Sequence, residues 1–228
     1  MPDYAPVLSA LREIRVISPF FALDVGRPDE TWHPGAALLD GPELPAALDA
    51  IAARYRTSER RVAGSLFFLA HTARLLSPVA AASALGLPVP DVRPENLWWR
   101  YDPDGLRVRL AEPVAAGGDL TAALAPVVAA VRAASGVAEG LLWGNAASNL
   151  AGALRTLART PPPPRPGHPT DAESCVAKGR ELLAAGKLAD TGDFIDFPGE
   201  VAFRRRSCCL YYRVAGGGTC GDCPLPPR

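Results

Sequence analysis

A proline-rich stretch in the last third of the chain limits what the sequence can fold into. Residues 161–169 read Pro-Pro-Pro-Pro-Arg-Pro-Gly-His-Pro. Proline lacks a backbone N–H and disfavours helix, so this stretch favours an extended polyproline form that acts as a stiff spacer. The sequence therefore predicts a main domain over residues 1–160, a linker over 161–169 and a C-terminal part over 170–228.

Helical patterns dominate the first half of the main domain. Apolar residues recur at steps of three and four over 42–56 and over 58–76, which predicts two helices. Ser58 is a candidate cap for the second, and Ser77-Pro78 is predicted to end it. A short separate helix is expected to follow and to close at Gly86.

A hairpin and further helices are predicted in the remainder. Residues 97–101 and 106–110 flank Asp-Pro-Asp-Gly and suit two antiparallel strands. Asp119 can cap a helix that stops at Gly136, and another helix is expected over 138–160. After the spacer, Thr170-Asp171-Ala172-Glu173 has capping-box spacing, with the helix expected to stop near Gly186. The predicted fold class is α+β and mostly helical, with a small antiparallel sheet and a C-terminal cysteine-rich segment.

Charge and hydropathy exclude some classes of partner. The 228 residues carry a formal net charge of zero, so no general attraction to nucleic acid or acidic lipid is expected. The most apolar region, residues 62–87, is interrupted by His71, Arg74 and Pro78, so no membrane-spanning segment is predicted. The N-terminal residues lack the basic start and apolar stretch of a secretory signal. We therefore expect a cytoplasmic protein.

Four of the five cysteines lie within the last 21 residues, as Cys208-Cys209, ten intervening residues, and Cys220-Gly-Asp-Cys223. In a reducing compartment such thiols suit metal ligation or catalysis better than disulfides. Adjacent cysteines on an extended chain face opposite sides, so both can ligate only where the backbone bends. Residues 210–214 suit a short strand, and the glycines at 216–218 can reverse the chain. Cys175 is far from this group and is expected to be a spectator.

The spacing alone leaves the metal open. Cys-x-x-Cys occurs in iron–sulfur sites and in structural zinc sites, although zinc ribbons usually carry two such knuckles. A zinc-stabilised module that recognises another protein is therefore one hypothesis. An iron–sulfur protein is the other.

Two stretches near the end of the sequence carry a specific pattern. Residues 204–213 read Arg-Arg-Arg-Ser-Cys-Cys-Leu-Tyr-Tyr-Arg, and residues 220–225 read Cys-Gly-Asp-Cys-Pro-Leu. Together they resemble the C-terminal signature of FhuF-type ferric siderophore reductases. Weaker similarity over 60–78, 97–100 and 142–148 extends the resemblance over most of the chain. It implies a 2Fe-2S cluster whose ligands are listed here in chain order: Cys208, Cys209, Cys220 and Cys223.

The implied function is one-electron reduction of the ferric iron in a siderophore, an oxidoreductase activity that releases Fe(II). Electrons would come from an external donor such as a ferredoxin or its reductase, because the sequence has no glycine-rich phosphate loop for a nucleotide or flavin. A cluster-based siderophore or iron sensor is an alternative.

Four arginines flank the cysteines: Arg204, Arg205, Arg206 and Arg213. Cations at this position would raise the potential of an anionic cluster and attract an anionic siderophore or an acidic donor protein. We interpret them as candidate substrate-binding residues. The simpler interpretation, a solvated charged face, stays open, and the nearby Trp143-Gly144-Asn145 motif is interpreted as structural.

Overall fold

A computed structural model describes residues 3–117 and 119–226 of the chain. Its helices are α1 (Ala5–Ile17), α2 (Ala37–Asp40), α3 (Glu43–Arg54), α4 (Arg60–Ala84), α5 (Leu120–Ser135), α6 (Glu139–Arg159) and α7 (Ala172–Leu183). Its strands are β1 (Asp24–Val25), β2 (His33–Pro34), β3 (Leu97–Asp102), β4 (Gly105–Leu110), β5 (Gly192–Ile195) and β6 (Ala202–Arg205). The predicted class, α+β and mostly helical, is confirmed.

The core is built around the packing of α4 against α6. Helix α4 is apolar on nearly all faces, as expected of a helix surrounded by other elements, and side chains such as Phe67 and Leu75 are fully buried. Its length and mean hydropathy would suffice to cross a membrane, but 78% of its most apolar window is buried inside the protein. This burial is that of a core helix and is compatible with a soluble protein.

Helix α4 is longer than the sequence predicts. It starts at Arg60 with Glu59, not Ser58, at the N-cap, and it continues through Ser77-Pro78 to Ala84. The predicted break and the separate short helix are therefore wrong. Pro78 is buried, so packing of the turns around it offsets the hydrogen bond that a proline removes from the helix.

The ends of α5 and α7 follow local capping rules more closely. The Asp119 carboxylate accepts the Thr121 N–H at the start of α5, and Gly136 ends this helix in the left-handed conformation at φ +70°. At α7 the cap is Asp171, which accepts the Ser174 N–H, rather than the predicted Thr170. Helix α7 ends at Leu183, shortly before Gly186.

Two small sheets complete the fold. The predicted hairpin is present as β3 and β4, with Trp99 opposite Val108. Two short strands extend it to the order β1-β4-β3-β2, and β1 runs parallel to β4. This sheet is therefore mixed rather than purely antiparallel as predicted. A second hairpin, β5 and β6, was absent from the prediction.

The elements after the spacer lie against the helical core. Residues 161–169 form neither helix nor strand. Helix α7 and strand β6 both pack on α6, with Phe194 and Phe203 in contact across the β5–β6 hairpin at 5.1 Å between ring centroids. Because β6 packs on α6, the cysteine region that follows this strand begins beside α6.

Candidate metal centre

The cysteine tail, residues 206–226, begins where β6 ends. Ser207 approaches α6 at Gly144, where a Cβ would lie only 2.2 Å from the Ser207 Oγ. The backbone then turns sharply after the adjacent cysteines, because Leu210 adopts the left-handed conformation at φ +66°. A 3-10 turn over Tyr211–Arg213 follows, so the short strand predicted over 210–214 is wrong.

A second reversal brings the later cysteines back. Gly216 has φ +74°, and the Gly217 N–H donates to the Val214 carbonyl at 2.8 Å. The Cys-x-x-Cys turn is closed by the Cys223 N–H, which donates to the Cys220 carbonyl at 3.0 Å. Both turns are short-range, so the loop between the cysteine pairs closes at little entropic cost.

The tail arranges its thiols as two pairs. The Cys209 and Cys220 sulfurs are 4.0 Å apart, and the Cys208 and Cys223 sulfurs are also 4.0 Å apart. Cys209 is buried, whereas the other three are partly exposed. Two thiolates on one tetrahedral iron or zinc ion, at about 2.3 Å each, lie roughly 3.8 Å apart. Each pair is therefore spaced to share one metal ion.

The two pairs together suit a dinuclear centre. Within the described ranges 3–117 and 119–226, no group of three or more His, Cys, Asp or Glu side chains is arranged to hold a metal ion. A structural zinc site takes four ligands on one ion. A 2Fe-2S cluster takes four cysteines divided between two irons. The four thiols of the tail, arranged as two pairs, therefore fit a 2Fe-2S cluster.

The Cys209–Cys220 pair is electrostatically asymmetric. The hydrogen bond with the Cys220 thiol lowers the pKa of Cys209 to about 5, against its burial and with help from the Tyr211 N–H and Arg205. The same contact, with burial, raises the pKa of Cys220. Burial raises the pKa of Cys208 to about 11. Because the thiolate is the form that binds metal, Cys209 is more readily available as a ligand than Cys208 or Cys220.

Arg205 lies at the base of this pair rather than at the surface. Its exposed fraction is 1%, and its Nη2 donates to the Cys220 sulfur at 3.5 Å. Its Nε is 3.8 Å from the carboxylate of Asp222, which is also buried. Burial opposes the charge, but Asp222 and the two thiols raise the pKa of Arg205. The site therefore contains a permanent buried cation next to a sulfur.

Residues of α4 and α6 hold this cation and the adjacent cysteine backbone. Asn145 accepts the Arg205 Nη1 N–H at 2.6 Å through its Oδ1 and donates through Nδ2 to the Ser65 carbonyl at 3.1 Å. Ser65 in turn donates to the Cys209 carbonyl at 2.6 Å. On the other side, Ser148 donates to the Asp222 carboxylate. We call these five side chains, Ser65, Asn145, Ser148, Arg205 and Asp222, the buried polar network.

The four predicted arginines have different surroundings. Arg206 is exposed and forms ion pairs with Asp190 at 3.3 Å and Asp193 at 3.1 Å. Arg213 pairs with Glu59 at 2.7 Å. Arg204 is exposed, and no ion pair is found for it in the described part of the chain.

Arg205, in contrast, is enclosed. A side chain with 1% exposure cannot receive a ligand at its guanidinium from solvent. The structure therefore does not group the four arginines into one surface, and three of them have carboxylate partners within the chain. Cys175 is buried in α7, where desolvation raises the pKa of its thiol to about 11.

Sequence reasoning missed most of the buried polar network. Asn145 was interpreted as structural, and Ser65, Ser148 and Asp222 were not singled out. One signal was available, because Ser65, Asn145 and Ser148 are polar residues on predicted helices with apolar neighbours. A buried polar side chain requires a hydrogen-bond partner. Here Ser65 and Ser148 find that partner in the cysteine tail, and Asn145 finds it in Arg205.

Residues 205–225 match the family model described as the FhuF 2Fe-2S C-terminal domain. No curated protein matches the chain. The matched segment contains the four clustered cysteines together with Arg205 and Asp222. The C-terminal segment of this chain is therefore a 2Fe-2S cluster-binding domain of the FhuF type.

Proposed function

We propose that this protein is a cytoplasmic ferric-siderophore reductase whose 2Fe-2S cluster is held by Cys208, Cys209, Cys220 and Cys223. The observation that carries the proposal is the two-by-two arrangement of thiols within a segment that matches the FhuF 2Fe-2S C-terminal domain. The domain match suggests the siderophore-iron reductase family. The specific reaction is our inference.

The distances support one division of the ligands. Cys209 and Cys220 would hold one iron, and Cys208 and Cys223 the other, since each pair is at 4.0 Å. Adjacent cysteines would then bind different irons. This division removes the difficulty of the adjacent pair, because two neighbouring side chains need not point at the same ion.

A bound 2Fe-2S cluster would supply one electron at a time, which converts a chelated Fe(III) to Fe(II). Siderophores bind ferric iron through hard oxygens, and the lower charge of Fe(II) weakens that binding. The chain's own residues need not move a proton. They hold the redox centre near the surface, set its potential and bring the chelate close to it.

Arg205 is suited to set the potential. Its guanidinium lies 3.5 Å from the Cys220 sulfur and is fixed by Asn145 and Asp222. A cation and an N–H donor at a sulfur ligand stabilise the additional negative charge of the reduced state, and this raises the reduction potential. Arg205 is thus a positioning and tuning residue, while substrate or donor contacts fall to the exposed Arg204, Arg206 and Arg213.

Two measurements test the proposal. Anaerobically purified protein should show the absorption of an oxidised 2Fe-2S protein and, after dithionite, an electron paramagnetic resonance signal. Mixing the reduced protein with a ferric siderophore in a stopped-flow instrument should reoxidise it, with one Fe(II) formed per cluster. A colourless protein with stoichiometric zinc would overturn the proposal, and an intact cluster without reoxidation would favour the sensor alternative.

Cysteine variants provide a matched pair. Cys209→Ser should abolish or strongly reduce the iron content, because it removes the buried ligand of the Cys209–Cys220 pair. Cys175→Ala should retain the full spectrum, because Cys175 is buried in α7 and belongs to neither thiol pair. Equal iron content in the two variants would contradict the ligand assignment.

A further inference from the structure

Hydrogen bonds within the protein hold the cysteine tail in its two-pair arrangement. Ser65 donates to the Cys209 carbonyl at 2.6 Å. The backbone N–H of Arg205 donates to the Asp222 carbonyl at 3.1 Å, inside the Cys-x-x-Cys turn, and Ser148 donates to the Asp222 carboxylate. The backbone beside each thiol pair is therefore attached to the rest of the protein by the chain itself. We expect the thiols to stay paired when no cluster is bound.

The four thiols are arranged for one of the three pairings that four cysteines allow. In the described part of the chain, the sulfur–sulfur hydrogen bonds join Cys209 to Cys220 and Cys208 to Cys223, each at 4.0 Å. Both cysteines of the Cys-x-x-Cys turn thus face a cysteine of the adjacent pair. The loop between Cys209 and Cys220 lies inside the longer loop between Cys208 and Cys223, so the pairing is nested.

The loop between the cysteine pairs can adjust to a covalent bond. A disulfide places its two sulfurs at about 2.05 Å, so each pair must close by roughly 2 Å. Gly216 and Gly218 are exposed, and a Cβ at either position would meet nothing within 4 Å. Movement of this loop therefore leaves the helical body undisturbed.

The exposure of the thiols decides which of them a small oxidant can reach. Cys208, Cys220 and Cys223 are partly exposed, and Cys209 is buried, so each pair contains at least one accessible thiol. Cys175 is 1% exposed and belongs to neither pair. Because oxidation of cysteine follows exposure, Cys175 should stay reduced under conditions that oxidise the tail.

We propose that the cluster-free tail is a reversible redox switch that hydrogen peroxide converts to two nested disulfides. The inner disulfide joins Cys209 to Cys220, and the outer one joins Cys208 to Cys223. In this state the tail has no thiolate to bind metal, so the cluster cannot be inserted until a dithiol restores the thiols. Disulfides in reducing compartments are usually transient and redox-sensing. The inference rests on the thiol arrangement and not on the reductase function.

Each disulfide consumes one hydrogen peroxide. The first thiol of a pair is oxidised to a sulfenic acid with release of one water, and the second thiol then forms the S–S bond with release of another water. Two electrons pass from the sulfurs to the peroxide, and the two thiol protons leave in the waters. Dithiothreitol reverses the reaction by thiol–disulfide exchange and becomes a cyclic disulfide itself.

The stoichiometry of oxidation tests the switch in the full chain. Protein freed of metal by a chelator and then reduced should fall from five free thiols to one with two molar equivalents of peroxide, one per disulfide. Dithiothreitol should restore all five. Persistence of five free thiols, or a loss that dithiothreitol does not reverse, would overturn the proposal.

Peptide mapping excludes one alternative pairing. Trypsin cuts after Arg206 and Arg213, so residues 207–213 and 214–228 form separate peptides that carry two cysteines each. Mass spectrometry of the oxidised protein should find these two peptides linked. Unlinked peptides would mean that adjacent cysteines, or the two cysteines of the Cys-x-x-Cys turn, are joined instead, and this would overturn the nested pairing.

Double variants distinguish the nested pairing from the crossed one. Cys208→Ala/Cys223→Ala keeps the inner pair, and Cys209→Ala/Cys220→Ala keeps the outer pair. Each should link its peptides with one equivalent of peroxide. The matched control, Cys208→Ala/Cys220→Ala, keeps one cysteine of each pair and should remain unlinked at the same protein concentration. Equal linkage in the control and in the two paired variants would overturn the assignment.

Cobalt(II) measures whether oxidation blocks metal binding, because its thiolate complexes absorb strongly. The reduced cluster-free protein should develop this absorption, and the peroxide-treated protein should not until dithiothreitol has reduced it and has been removed. Unchanged cobalt binding after oxidation would overturn the switch.

The outcomes separate the switch from the reductase function. A cluster-loaded protein that reduces a ferric siderophore, but whose cluster-free form resists peroxide, keeps the reductase function and rejects the switch. Nested disulfides in a protein that never reduces a ferric siderophore keep the switch and reject the reductase function.

Discussion

The helical body and the cysteine tail are held in place by different kinds of contact. In the body, α4 and α6 meet through buried apolar side chains such as Phe67, Leu150 and Leu154. The tail is attached to the same two helices through the buried polar network, including the Ser65 bond to the Cys209 carbonyl. Apolar packing is non-directional and tolerates small shifts, whereas a buried network needs every partner in place.

This difference has a consequence for stability and function. The body can lose one contact and keep its fold, because many others remain around it. The tail depends on a few directional bonds, and these bonds end at the residues that bear the proposed metal ligands. Damage to the network should therefore appear first as loss of the cluster.

The largest effect is expected at Arg205. Arg205→Met leaves Asp222 buried without its cation and Asn145 without a donor, and breaking a buried ion pair from one side costs about 3–5 kcal/mol. We expect a large fall in the urea midpoint and in iron content. Urea titrations followed by circular dichroism would measure the midpoint, and iron analysis would measure the iron content.

Two further variants check the reason for this loss. Adding Asp222→Asn to Arg205→Met removes the stranded charge and should recover part of the stability. Arg206→Met removes a neighbouring arginine whose ion pairs are exposed and should leave both readouts close to wild type. Equal losses for Arg205→Met and Arg206→Met would contradict the distinction between buried and exposed arginines.

The body was more predictable from sequence than the tail contacts. Helical spacing identified α3, α5 and α6 within a few residues, because one face of each is apolar. The ends of α5 are also marked by local signals, the Asp119 cap and Gly136. The failure at Ser77-Pro78 has a tertiary cause. Pro78 lies in the packed core, and local rules cannot weigh this packing against one lost hydrogen bond.

For the site, spacing identified the cysteines but not their surroundings. The two 4.0 Å pairs agree with the predicted cluster, and the ligand roles stay a proposal. The run of three arginines resembles a uniform exposed face. Successive side chains of a strand point to opposite faces. Because residues 202–205 form β6, Arg204 is exposed and Arg205 is buried. This difference could not be predicted without knowing that these residues form a strand.

An intermediate effect is expected at His71, a polar exception within the apolar body. Its ring stacks on Phe67 at 6.1 Å, and neither of its nitrogens has a hydrogen-bond partner among the described residues. Burial lowers the pKa of His71 to about 4. The unfolded chain, with a histidine pKa near 6.5, therefore takes up the proton first as the pH falls.

The lowered pKa of His71 determines how the stability of the protein changes with pH. The contribution of His71 to stability is complete above about pH 6.5 and decreases as the pH falls from there towards about 4. Between pH 7 and pH 5 the free energy of unfolding should fall by about 2 kcal/mol more in wild type than in His71→Leu. Parallel urea titrations of both proteins would measure this difference. Identical pH profiles would show that His71 is protonated or solvated in the folded state.

The smallest effect is expected where tail and body meet at the surface. Arg213 in the tail pairs with Glu59 at the start of α4, and both side chains are about one-third exposed. The Arg213 hydrogen bond, with that of Arg61, lowers the pKa of Glu59. The stabilisation is present above the usual glutamate range and is lost as the pH falls through the lowered pKa.

Arg213→Gln should therefore lower the melting temperature slightly at neutral pH and low salt, because exposed ion pairs contribute little and are screened by salt. The difference from wild type should vanish in 1 M NaCl and again at acidic pH, while iron content stays unchanged. A loss of iron, or a deficit that persists in high salt, would mean that the tail depends on this surface contact as well. The attachment of the tail would then no longer be explained by the buried polar network alone.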